Sequence, residues 1–135
     1  MPDNLIDIEG IGAAYAKTLG DAGLKTTEDL LKSAGSAAGR KLLAEGTAID
    51  AGKILEWVNR ADLMRVKGVG SEFSDLLEAS GVDTVRELAT RVPANLHAKM
   101  TVVNADKKLV RRAPTLSEVE AWVGEAKTLP AMVSH

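Results

Sequence analysis

The chain contains no cysteine, and its 135 residues include only one phenylalanine, one tyrosine and two tryptophans. Without cysteine there is no disulfide, no thiolate metal site and no thiol redox chemistry. Alanine and leucine dominate, and β-branched residues never alternate with polar ones for long, which points to helices rather than strands. No apolar run approaches the ~20 residues that a membrane span needs. The opening Met1-Pro2-Asp3-Asn4 is acidic and lacks the positive leader of a secretory signal. A cytoplasmic protein with no membrane partner is the expectation. A clear excess of basic charge, the usual mark of a dedicated nucleic-acid module, is also missing: the formal net charge is −2. The charge is uneven, −3 over residues 1–62 and +1 over residues 63–135. Polyanion binding would therefore have to rest on a local patch.

What the chain does have is a repeat. Ile8-Glu9-Gly10-Ile11-Gly12 returns as Val66-Lys67-Gly68-Val69-Gly70, and Tyr15, Leu19, Gly23, Thr26 and Leu30 return as Phe73, Leu77, Gly81, Thr84 and Leu88, all at an offset of 58. Two glycines one residue apart let the chain reverse tightly. The residue between them can turn into the core, leaving backbone N–H groups at a helix start, where an anion is favoured.

The flanking pattern predicts short helices. Leu5, Ile6 and Ile8 anchor a first turn. A helix over 13–22 has Ala13, Ala16 and Leu19 facing inward, and Gly20 inside it calls for a close helix contact. Gly23 ends it, and Thr26 or Thr27 caps a helix to Ala34. Gly35, Ser36 and Gly39 read as a loop, Arg40 to Glu45 as a short helix stopped by Gly46, and Asp50 as the cap of a helix to about Leu63. After the second glycine pair, Asp83 or Thr84 caps Val85 to Thr90, and Pro93 stands at the next helix start. Thr115 with Glu118 is a capping box ahead of a last helix, Leu116 to Leu129. Ile54, Trp57 and Ala61 match Val119, Trp122 and Ala126 at an offset of 65, so seven residues are inserted in the second half. The insert includes the basic stretch within 104–114. The expected organisation is all-α, with halves at 1–63 and 64–135, approximate twofold symmetry and one shared core. With so few large side chains, neither half is expected to fold alone.

Ile8-Glu9-Gly10-Ile11-Gly12 followed by Tyr15, Leu19 and Ala22-Gly23 resembles a helix-hairpin-helix motif, and so does Val66 to Gly81. With the Trp-bearing helices and the closing Leu116-Ser117-x-Val119-x-x-Trp122, nearly the whole chain is similar to a bacterial family of tandem helix-hairpin-helix domains of unknown function. The resemblance implies sequence-independent contact between hairpin amides and the DNA phosphate backbone, at times with a monovalent cation bound at a hairpin, in an accessory module rather than a catalyst. Carried over, the phosphate-facing backbone is Gly68, Val69 and Gly70, with Gly10, Ile11 and Gly12 as the weaker hairpin. Good binders of the superfamily have basic or small polar residues soon after the second glycine, where this chain has Ala13-Ala14 and Ser71-Glu72. Asp7 and Glu9 flank the first turn; Arg65 and Lys67 flank the second.

Each feature also has a plainer reading. The glycine pairs can be turn-formers only. Lys107, Lys108, Arg111 and Arg112, read as one helical face, are either a solvated face or a grip on phosphate. Trp57 and Trp122 read as core rather than as stacking platforms. His97 and His135 are too far apart and too poorly partnered to suggest a metal site. Neither Gly-x-Gly follows a strand, no P-loop is present, and no catalytic Ser–His–acid or Cys–His set can be assembled. The expected function is a non-catalytic binding module, not an enzyme, making weak, sequence-independent contact with DNA through Arg65, Lys67, the second hairpin and the 107–112 segment. The alternative is a protein-interaction or scaffolding domain with purely structural hairpins. A monomer is expected, with a weak homodimer as the other possibility.

Overall fold

A computed structural model describes residues 3–134; Met1, Pro2 and His135, with the terminal histidine weighed above, lie outside the described residues. The described residues form helices and no strand: a 3-10 turn (Leu5–Asp7), then α1 (Ala13–Asp21), α2 (Thr27–Ala34), α3 (Ala37–Thr47), α4 (Ala51–Leu63), α5 (Ser71–Ala79), α6 (Val85–Leu88), α7 (Pro93–Lys107) and α8 (Leu116–Ala126). A lone antiparallel bridge joins Asn4 to Thr26. None of these helices is long and apolar enough to cross a membrane.

Most of the helix starts follow from side-chain caps. Thr26 and Thr84 each accept the N–H three residues on, from Asp29 and Glu87, at 3.2 Å in both cases. Asp50 accepts from the N–H of Lys53, and Thr115 from that of Glu118. Thr115 and Glu118 complete their box, the Glu118 carboxylate accepting from the N–H of Thr115. Each cap satisfies a donor that the helix itself cannot. At the ends of α1 and α5, Gly23 and Gly81 take φ of +89° and +93°. The N–H of the next residue, Leu24 or Val82, then reaches back to the carbonyl of Leu19 or Leu77 at 2.9 Å.

The chain packs as two units, Met1–Asp62 with Ala131–His135, and Leu63–Pro130. In the first, α1 lies against the 3-10 turn and α2 against α3. Leu5, Ile8, Leu19, Leu30, Ile54 and Trp57 are fully buried there. In the second, α7 packs on α8 and α5, and α6 packs on α8. Its core runs from Leu63 and Val66 through Leu76, Leu77, Leu96 and Met100 to Val119 and Trp122. The last described residues belong with the first unit. The Ser134 N–H donates to the carbonyl of Gly35 at 2.8 Å, and the buried Arg40 guanidinium bonds the carbonyls of Ala34, Gly35 and Ser134.

Several sequence expectations need correction. Ile6 is 53 % exposed and does not anchor the first turn, and Ala13 is exposed too. Gly20 has nothing near its missing Cβ, so no close helix contact explains it. Gly39 is not in a loop. Ser36 caps α3 by accepting the Gly39 N–H, and a Cβ on Gly39 would collide with the Ser33 carbonyl. α3 runs on through Gly46 and ends at Ala48, which takes the left-handed conformation itself (φ 61°).

Candidate functional site

The two glycine hairpins are built alike, bond for bond. The N–H of Ile8 donates to the carbonyl of Leu5, and that of Ile11 to Ile8, at 3.0 Å each; Val66 bonds Leu63 and Val69 bonds Val66 at 3.1 and 3.0 Å. Gly10 and Gly68 have φ of +95° and +90°, where an L side chain is strained. Gly12 and Gly70 are the extended N-caps of α1 and α5 and, having no side chain, leave the first helical N–H groups uncapped. Ile11 and Val69 are buried, and their N–H groups are already used inside the turn. The N–H groups left for an outside acceptor are therefore those of the glycines and of the first helical turn, not those of Ile11 and Val69.

A tryptophan backs each hairpin. Trp57 on α4 and Trp122 on α8 bring indole Nε1 to 3.4 and 3.2 Å from the point where a Cβ on Gly10 or Gly68 would stand. Each ring is held by the aromatic residue that opens the next helix: Tyr15 with Trp57, and Phe73 with Trp122, at 5.0 Å between centroids in both. Lys53 lies over the Tyr15 ring and Arg112 over Phe73.

The basic segment does not form one helical face. α7 ends at Lys107, and Lys108 caps it in the left-handed conformation (φ 52°), so helical spacing stops there. Asn104 then pins the loop, its side-chain amide donating to the carbonyl of Val110 and accepting the Val110 N–H. This fold-back places Lys108 and Arg111 with Glu72, two residues beyond Gly70, around one cavity of about 550 Å³ that Asn104, Leu109 and Val110 also line. Part of the basic segment is thereby brought beside Glu72 in the first turn of α5.

Other predicted cations are held elsewhere. Arg65 bonds the carbonyl of Pro130. Arg112 makes a two-pronged contact with Glu118 at 2.7 and 3.2 Å. The hydrogen bond from Arg112, then that from the Thr115 N–H, depresses the Glu118 carboxyl to a pKa of about 2. Lys67, Lys107, Lys108 and Arg111 are exposed and make no ion pair among the described residues. Sequence reasoning missed Glu125, whose carboxylate accepts the Lys67 N–H at 3.1 Å. Its spacing of three from Trp122, on the face turned to the hairpin, was the available signal. Among the described residues no group of three or more His, Asp or Glu could hold a metal ion.

The model of the domain of unknown function DUF4332 matches residues 9–129, and the chain belongs to that family. It is 39 % identical over 70 residues to an uncharacterised 22.9 kDa protein in the nqo2 3′ region of Paracoccus denitrificans, a match covering 52 % of this chain and 29 % of that protein. The chain thus spans less than a third of the length of that relative. No solved structure matches it.

Proposed function

We propose that this member of the DUF4332 family is a tandem helix-hairpin-helix module that binds the DNA phosphate backbone weakly and without sequence preference. The second hairpin and the loop after α7 carry the contact, and the module does no chemistry of its own. The observation behind this reading is the cavity that gathers Lys108 and Arg111 beside Glu72, at the uncapped start of α5. The two cations, and the amides at the start of α5 that no side chain caps, can donate to phosphate oxygens, while the Glu72 carboxylate in the same cavity works against them. A net charge of −2 argues against strong attraction at long range, so binding in the micromolar range or weaker is expected, fading as salt rises. Backbone amide shifts on adding a mixed-sequence duplex at low salt test the proposal. Shifts at Gly68, Gly70 and 107–112, with Gly10 to Gly12 nearly silent, support it. No shift at any hairpin would sink it.

Glu125 favours a second reading. A carboxylate already seated on the Lys67 N–H opposes an incoming phosphate. Under this reading the hairpins only turn the chain, and the domain binds another protein. Amide shifts spread evenly over every lysine and arginine would favour it.

A further inference from the structure

Each hairpin glycine leaves something uncovered. A Cβ on Gly68 would stand 3.2 Å from Trp122 Nε1, and one on Gly10 would stand 3.4 Å from Trp57 Nε1. With glycine there, no Cβ crowds the indole nitrogen. The two rings are almost entirely buried, Trp57 at 2 % and Trp122 at 3 % exposure. Yet neither indole nitrogen has a hydrogen-bond acceptor among the described residues. An indole N–H can only donate. A ring held this firmly by its aromatic neighbour cannot swing away to find another partner.

The surroundings of Trp122 indicate which acceptor fits. The N–H groups of Gly68, Gly70 and the first turn of α5, which no side chain caps, are donors as well, while the Val66 carbonyl is taken by Val69. One turn along α8 from Trp122, Glu125 already puts an anionic oxygen on this hairpin, at the Lys67 N–H. Backbone amides and the indole nitrogen thus lie together at one turn beside the exposed Lys67, where a phosphate oxygen would compete with the Glu125 carboxylate. We infer that Trp122 is a ligand-contacting residue, its indole N–H donating to a phosphate oxygen bound at the second hairpin. This rests on the phosphate-binding reading above and adds a side-chain donor that the glycine turn exists partly to uncover. Glycine is then required at position 68 for two reasons, its positive φ and the access it gives to the indole.

The two tryptophans give two indole signals in a ¹H–¹⁵N spectrum of the whole protein, assigned with Trp122→Phe and Trp57→Phe. The probes are a mixed-sequence duplex and, separately, inorganic phosphate, both at low salt. The expected result is a saturable shift of the Trp122 indole signal with both probes, in step with the Gly68 and Gly70 amides. Trp122→Phe keeps the ring contact with Phe73 and removes the donor; it should weaken duplex binding about tenfold or more, as loss of a hydrogen bond to a charged group does. If the glycine amides shift while the Trp122 indole stays still, the inference is overturned and the phosphate reading survives. If neither moves, both fall. Should Trp122→Phe fail to fold, the wild-type indole signal decides alone.

Discussion

The backbone N–H of Lys67 donates to Oε1 of Glu125 at 3.1 Å, so the second hairpin holds a carboxylate of its own. The position that answers to Glu125 in the first unit carries Arg60. Charge near the second hairpin is therefore not only the attraction of Arg65 and Lys67 read from the sequence. Glu125→Gln keeps an acceptor for the amide and removes the charge. Duplex affinity should rise about two- to threefold at low salt and converge with the parent at high salt, because an exposed charge acts through a screened field. Fluorescence anisotropy at two salt concentrations measures this; equal affinities at low salt would place Glu125 away from the DNA path.

Asn104 holds the Val110 peptide from both sides, with bonds of 3.2 and 2.9 Å. Lys108 and Arg111 lie on either side of the held residue. Asn104→Ala should cost about 1–2 kcal/mol of stability, the usual net worth of two partly buried hydrogen bonds. It should also speed hydrogen exchange at Val110 and weaken duplex binding without altering any charge. Unchanged exchange at Val110 would show that packing of Val110, rather than Asn104, fixes the loop.

The Arg112–Glu118 contact sets a pH dependence. The folded Glu118 pKa, about 2, lies below its ordinary value of 4.5, so the carboxylate contributes stability above the unfolded pKa. That contribution is lost as pH falls from about 4.5 toward about 2. Both groups are substantially exposed, which keeps the effect under about 1 kcal/mol. Carboxyl carbon NMR should find Glu118 titrating near the acid end of this window. In Arg112→Ala its pKa should climb but stay below the ordinary value, because the Thr115 N–H still donates to it.

Much of the fold was legible because it is local. Thr26, Thr84 and Thr115 cap by side-chain chemistry that any chain segment carries, and Gly23 and Gly81 stop helices through a conformation that other residues avoid. Where the reading failed, glycine was taken as a helix breaker. Gly39 looked like a loop residue but lies in α3, started by the Ser36 cap, and is glycine because the Ser33 carbonyl leaves no room for a Cβ. Gly46 looked like a stop, but Ala48 takes the left-handed turn in its place. The candidate site was legible in its glycines and not in its charges. Side-chain type marks Lys108, Arg111 and Arg112 as cations. Only the left-handed cap at Lys108 and the bond that Arg112 donates to Glu118 separate the two that line the cavity from the one that is engaged.

The division between engaged and available cations yields the sharpest test of the DNA reading. Lys108 and Arg111 line the cavity beside Glu72, whereas Lys17 is paired with Asp21 on α1 and Lys25 lies in the other unit. The double change Lys108→Glu with Arg111→Glu alters the net charge by the same amount as Lys17→Glu with Lys25→Glu. A general electrostatic attraction cannot tell the two variants apart beyond a screening length. A local phosphate site can. Each lost contact should lower the slope of log affinity against log salt by about 0.9 on duplex DNA. The slope should thus fall by about one to two for the Lys108 and Arg111 pair and hardly change for the Lys17 and Lys25 pair. Anisotropy titrations at several salt concentrations give both slopes. Equal losses in the two variants would mean that the charge of the whole chain, not the second hairpin and its loop, governs any binding.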